Sequence, residues 1–175
     1  MLDQDKIVAS VRAATGDVFT TMLAMDVEAG PARIEQGAPA VADGVLALIG
    51  MAGAWAGAGT VCCSSRLARR MCEQLLMTGA PSVNEEVLDA VGEVANMIIG
   101  NFKTAAEENL GPLGLSIPTV IFGRNFASRS IGRDGWVVVP FRCDGEELEV
   151  RVCLAPAKEP VSIRHGFVHH QGIVV

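Results

Sequence analysis

Residues 44–65 run for 22 positions without a charge, and that run narrows sharply what this chain can fold into. Its length reaches the roughly 20 apolar residues of a membrane-spanning helix. It also contains Gly53-x-x-x-Gly57, a small-residue spacing by which such helices pack, and Arg66 follows it. Its composition points the other way. Glycine stands at 44, 50, 53, 57 and 59, and alanine outnumbers leucine and isoleucine. Glycine at that density suits a turn between closely packed strands. Two strands, Gly44–Met51 and Gly57–Cys63, are therefore expected around a turn at Gly53, with no membrane association.

The rest of the chain mixes two periods. Lys6 to about Asp26 reads as an amphipathic helix with Val8, Val11, Val18, Phe19 and Met22 on its apolar side. Gly30–Pro39 reads as a loop. Ser64 or Ser65 can cap a short helix that runs to about Thr78 and stops at Gly79 and Pro81. A longer helix is expected from Asn84 to about Glu108, then a strand over Ile117–Gly123 and an irregular stretch to Asp134-Gly135. Trp136–Arg142 and Glu147–Leu154 read as a hairpin across Asp144-Gly145. The implied class is α+β, long helices packed on an antiparallel sheet. There is also an internal echo. Ala14–Met22 parallels Ala90–Ile98, and Asp43-Gly44-Val45 parallels Asp134-Gly135-Trp136. The domain therefore reads as a pseudo-repeat of helix plus strand pair.

Composition excludes several functions. A chain of 175 residues that is half apolar is expected to fold as one domain with a real core. A formal charge of −6 argues against nucleic acid as a partner. Arg66, Arg69 and Arg70 make the one tight basic group and read as a solvated helix face. Five cysteines without Cys-x-x-Cys, and no signal-peptide pattern, suggest reduced, buried thiols in a cytoplasmic protein. No nucleophilic serine elbow or phosphate-binding glycine loop is present. His165, His169 and His170 form a His-x-x-x-His-His tail, but Gly166 and Gly172 weaken the helix that would align them, so no metal site is expected.

The long helix carries the chemistry. At 100° per residue, Val87, Val91, Ala95, Ile98, Phe102 and Ala105 gather on one side. Asp89, Glu93, Asn96, Gly100 and Lys103 fall on the other, within roughly 80° of Glu93, and Met97 lies about 40° from it. An exposed acid on a helix face needs no function. Asn96 is harder to dismiss, because asparagine is a poor mid-helix residue and has no cap to make here. Gly100 leaves a smooth patch beside the acid and the amide. Gly92 reads as a residue that permits close helix packing.

Asp89-x-x-x-Glu93-x-x-Asn96, continued by Met97-Ile98-Ile99-Gly100-Asn101-Phe102-Lys103-Thr104, resembles the signature helix of the CheC/CheX/FliY chemotaxis phosphatases. Leu115-Ser116-Ile117-Pro118-Thr119-Val120 with Gly123 resembles the strand that follows it in the CheX branch. The resemblance covers about residues 6–156 and leaves 157–175 as a tail without a family counterpart. It implies dephosphorylation of the phospho-aspartate of a CheY-like response regulator, with Glu93 and Asn96 as catalytic residues. Asp89, Met97, Gly100 and Lys103 would serve in docking. It implies no cofactor of the chain's own, because the receiver would bring the phospho-aspartate, a Mg²⁺ site and a lysine. Asn96 would orient the attacking water, as a glutamine does in GTPases, and Glu93 would pair with the receiver's lysine. A homodimer is implied as well. The alternative is a receiver-binding adaptor of the same fold that does not turn over. At the echo, Asp17 and Thr20 replace the Glu and Asn, so one active site per chain is expected.

Overall fold

A computed structural model of the chain describes residues 3–36, 40–127 and 135–157. Helix α1 (Gln4–Met22) starts on an Asp3 cap, whose carboxylate accepts from the Asp5 N–H at 3.1 Å. It stops short of Asp26. Ala24 takes a left-handed φ of +50°, and the Met25 N–H returns to the Phe19 carbonyl, so that Leu23 and Met25 are buried. Two short strands follow, β1 (Glu28–Ala29) and β2 (Arg33–Glu35), in and beside the stretch expected to be loop. Neither has an apolar alternation of its own; both form by pairing with a strand a hundred residues away.

The uncharged run is a hairpin, as its glycines suggest. Strand β3 (Ala40–Gly53) turns back into β4 (Trp55–Cys63). A Cβ on Gly57 would overlap the carbonyl oxygen of Cys153 on the neighbouring strand. Among the described residues no helix is long and apolar enough to cross a membrane. Ser64 then caps α2 (Ser65–Leu76), accepting from the Leu67 N–H at 3.1 Å. The arginines of α2 do more than face solvent. Arg66 and Arg70 reach Glu146 and Asp144 at 3.3 and 2.8 Å, and Arg69 donates to the Ala80 carbonyl. Helix α3 (Glu85–Leu110) leads into β5 (Leu113–Leu115) and β6 (Thr119–Ala127). The last hairpin, β7 (Trp136–Cys143) and β8 (Glu146–Pro156), turns where Asp144 and Gly145 both adopt positive φ.

All strand pairs are antiparallel. Strands β1 and β2 share the outer edge of β7, and the sheet continues β8, β4, β3. Strands β5 and β6 share the outer edge of β3. The internal echo is therefore a swap. Each half has a helix, two edge strands and a hairpin, and its edge strands pair with the hairpin of the other half. The hairpins meet at β4–β8, where Thr60 pairs with Arg151.

One face of the sheet carries the helices. Val45, Ala47 and Ile49 of β3, Val139 and Phe141 of β7, and Val150 and Val152 of β8 join Phe19, Met71, Val91 and Phe102 in one core. Each fully buried Val, Ile, Met or Phe side chain among them contributes about 1.5–3 kcal/mol of transfer free energy. Helix α3 packs tightly on Gly59 of β4, where a Cβ would lie 2.5 Å from Ile99 Cδ1. On the opposite face an ionic cluster ties β2 to β8. Arg151, 6% exposed, holds Glu35 at 2.7 Å and Glu149 at 2.6 Å, and Arg33 bridges the same two acids. None of the five cysteines is in a disulfide, and three of them are buried. Burial pushes the Cys62 thiol up to about 12 and raises that of Cys63 as well, which keeps both protonated at neutral pH.

Candidate functional site

Helix α3 begins where Asn84 accepts from the Val87 N–H at 3.1 Å, with Glu85 and Glu86 in the first turn to complement the helix dipole. It ends at Gly111, with φ +74°, whose N–H returns to the Glu107 carbonyl. Val87, Val91, Ala95, Ile98 and Phe102 are buried as the periodicity requires, together with Val94 and Ile99. Ala105 is exposed instead, and Ala106 is the residue packed on the core. There the first turn of α1 and Trp55 leave open a groove of about 240 Å³ over the end of α3.

The opposite face carries the other expected residues. Asp89 and Glu93 are exposed; Asn96, Gly100 and Lys103 are half-buried. Among the described residues, the side chains of Glu93 and Asn96 have no hydrogen-bond or ion-pair partner. The Asn96 amide still reaches solvent, because it is not among the buried, unsatisfied side-chain atoms, of which Thr60 Oγ1 is the one found in the described residues. It is a free donor and acceptor on a fixed backbone. A Cβ at Gly100 would meet nothing within 4 Å. Met97 differs from the rotation-based expectation: it is half-buried and packs against the core, as a flexible thioether can. Lys103 also has a partner of its own, Glu107, at 3.0 Å.

One flank of this face is built by the chain after the helix. A Cβ on Gly92 would stand 3.2 Å from Val120 Cγ2 and 3.8 Å from Pro118 Cβ, so α3 rests there on the start of β6. This is the close packing that glycine was expected to permit. Asn96, one turn on from Gly92, leans toward the same flank, about 40° away by helical rotation. The strand expected from Ile117 begins at Thr119. Before it, Ser116 replaces regular pairing. Its N–H donates to the Gly50 carbonyl, its hydroxyl accepts from the Gly50 N–H, and the hydroxyl donates to the Ile117 carbonyl, each at 2.9 Å. Pro118 has no N–H to give a ladder. Ile117 is left 86% exposed. Pro118 was the available signal for this break. The Glu107 carboxylate, which accepts from the Leu113 N–H at 2.7 Å, had none, because the contact depends on the turn at Gly111.

The first half lacks this construction. Ala14, Thr15, Val18 and Phe19 are buried like Ala90, Val91, Val94 and Ala95, and Asp17 and Thr20 are exposed. A Cβ on Gly16, the counterpart of Gly92, would meet nothing within 4 Å. Among the described residues no group of three or more His, Cys, Asp or Glu side chains is placed to hold a metal ion. The tail from residue 158, with His165, His169 and His170, and the stretch through Asp134 lie outside the described residues.

The model of the family "Chemotaxis phosphatase CheX" matches residues 45–142. No curated protein sequence matches the chain. Among solved structures, the chain is similar to chemotaxis protein CheX from Vibrio vulnificus, with 25% identity and a TM-score of 0.77 over 86% of this chain and 99% of that one. The CheX protein of Desulfovibrio desulfuricans matches with the same identity, TM-score and coverage. The fold is also that of the Borrelia burgdorferi CheX in a CheX–CheY–BeF3–Mg²⁺ complex, at 22% identity and a TM-score of 0.74, over 88% and 99% of the two chains.

Proposed function

We propose, from the premise that this chain belongs to the chemotaxis phosphatase CheX family, that it speeds loss of the phosphoryl group from the phospho-aspartate of a CheY-like receiver domain. The observation that carries the reading is the unpartnered Asn96 amide, one turn from Glu93 on a 26-residue helix whose other face is locked into the core. An amide can accept a hydrogen bond from water and donate one to a phosphoryl oxygen at once. That fixes the water in line for attack on phosphorus. The P–O bond to the receiver's aspartate breaks as the bond to water forms, and the aspartate leaves as a carboxylate. Asn96 orients and does not act as a base. Glu93, exposed and without a partner, pairs with a receiver lysine and sets the helix against the phosphorylation site. The divalent cation belongs to the receiver; this chain brings no cofactor. The Borrelia protein of this fold is held in a complex with CheY, and the same class of partner is proposed here.

A homodimer is part of the reading. The outer edges of β5 and β6 and of β1 and β2 have no pairing strand among the described residues, and open edges are templates for a second copy. Equilibrium sedimentation reads this directly.

The test is phosphate release from a panel of phosphorylated receivers of the same organism. The wild-type protein should accelerate decay of at least one, and Asn96→Ala should return that decay to its intrinsic rate with folding unchanged. Glu93→Ala should weaken binding as well, measured by calorimetry against a receiver carrying beryllofluoride. Full activity in well-folded Asn96→Ala sinks the mechanism. Binding without acceleration by the wild type leaves the adaptor reading in its place.

A further inference from the structure

We propose that Ile117 is an apolar positioning residue, an anchor that seats the receiver domain beside the Glu93–Asn96 pair; the inference rests on the receiver reading above. A scattered exposed apolar side chain is ordinary by itself. Three features set this one apart. Its backbone is pinned on one side by Ser116, which bonds to both Gly50 and the Ile117 carbonyl, and on the other by the fixed φ of Pro118. Its neighbour Pro118 rests against Gly92, the residue before Glu93 and one turn before Asn96, so Ile117 borders the reactive flank of α3. And the side chain stays 86% exposed in that held position. A β-branched group on a fixed backbone has few rotamers to lose on docking, which is the condition for an efficient contact.

The chemistry of the site needs such an anchor. A water held in line tolerates little displacement of the amide. Glu93 and Asn96 lie on one helix and fix the partner along one line only. A third contact off the helix axis, on the β5–β6 connection, stops the receiver from rocking about α3. The occupant is therefore the receiver, whose surface must cover this flank if it covers Asn96.

The experiment uses the full chain and three variants, Ile117→Ala, Ile117→Asp and Ile117→Leu. Ile117→Ala should raise KM for the phosphorylated receiver about tenfold and lower kcat as well, because a receiver free to rock about α3 no longer holds the water in line. Ile117→Asp should raise KM further, and Ile117→Leu should restore most of both. Thermal stability should change little, because the side chain is 86% exposed. Calorimetry against a beryllofluoride-bearing receiver supplies a readout independent of turnover. Equal affinity of wild type and Ile117→Asp overturns the anchor. If Asn96→Ala is then inactive, the phosphatase reading survives without it. A change of oligomeric state in Ile117→Asp also overturns the proposal, and assigns the residue to a contact between copies of this chain. Failure of the wild type to bind any receiver removes both together.

Discussion

Glu107 accepts the backbone N–H of Leu113 at 2.7 Å while holding Lys103 at 3.0 Å, so the helix that carries Glu93 and Asn96 is tied to the first strand leaving it. That strand pairs with Met51–Gly53 and delivers Ser116 to Gly50, which in turn leads Pro118 back to Gly92. One carboxylate thus helps set the flank on which the amide leans.

Its pH dependence follows from that role. The Leu113 N–H, and after it Lys103, hold the Glu107 carboxyl below its ordinary value. A carboxyl depressed in the folded state stabilises fully above its unfolded pKa and loses that contribution as pH falls through the folded one. Glu107→Gln should therefore melt below the wild type at neutral pH, and the gap should close as pH falls below about 4. Thermal melts followed by circular dichroism across that range measure it; a gap that stays constant with pH refutes the role of the charge.

Gly59 should be intolerant of even one methyl group. A Cβ there would lie 2.5 Å from Ile99 Cδ1 and 3.2 Å from Cγ2, in a fully buried part of the core. Gly59→Ala should cost about 1–3 kcal/mol by overpacking, and Ile99→Val in the same chain should recover part of it. Urea unfolding of the two variants and the double variant gives the coupling; strict additivity would mean that α3 shifts instead.

Gly100 separates folding from docking. Its Cβ position is open within the chain, and leucine is a better helix former than glycine by about 0.8 kcal/mol. Gly100→Leu should hold or raise the melting temperature while lowering dephosphorylation of the receiver several-fold. Activity equal to wild type would show that the partner does not lie this far along α3.

The first helix should be silent in catalysis. Asp17 and Thr20 are exposed at the places of Glu93 and Asn96, but Gly16 has no neighbouring strand against it. Asp17→Ala with Thr20→Ala should leave the rate of receiver decay unchanged. Asp17→Glu with Thr20→Asn, built in an Asn96→Ala chain, should give little or no activity, because the side chains would stand on a helix without the flank. Strong activity in that chain would mean two equivalent sites.

The sequence alone determined what depends on local periodicity. The buried stripe of α3, its start near Asn84, the exposed Glu93 and the Asp144-Gly145 turn follow from 3.6-residue and 2-residue repeats and from residues that fix φ. Those signals act within a few positions of the chain. The same logic turned the uncharged run into a hairpin, because its glycines let strands approach. The tertiary structure decided the rest. Strands β1, β2 and β5 are two or three residues long and exist only through partners as much as 114 positions away, as where Glu28 meets Arg142. The exposure of Ile117, the packing of Met97 and the tie from Glu107 to Leu113 depend on where separate elements come to rest. A repeat in sequence says which side of a helix is apolar. Which strand lies against its flank is set by long-range pairing, and that is why the motif was legible while the surface that would hold its partner was not.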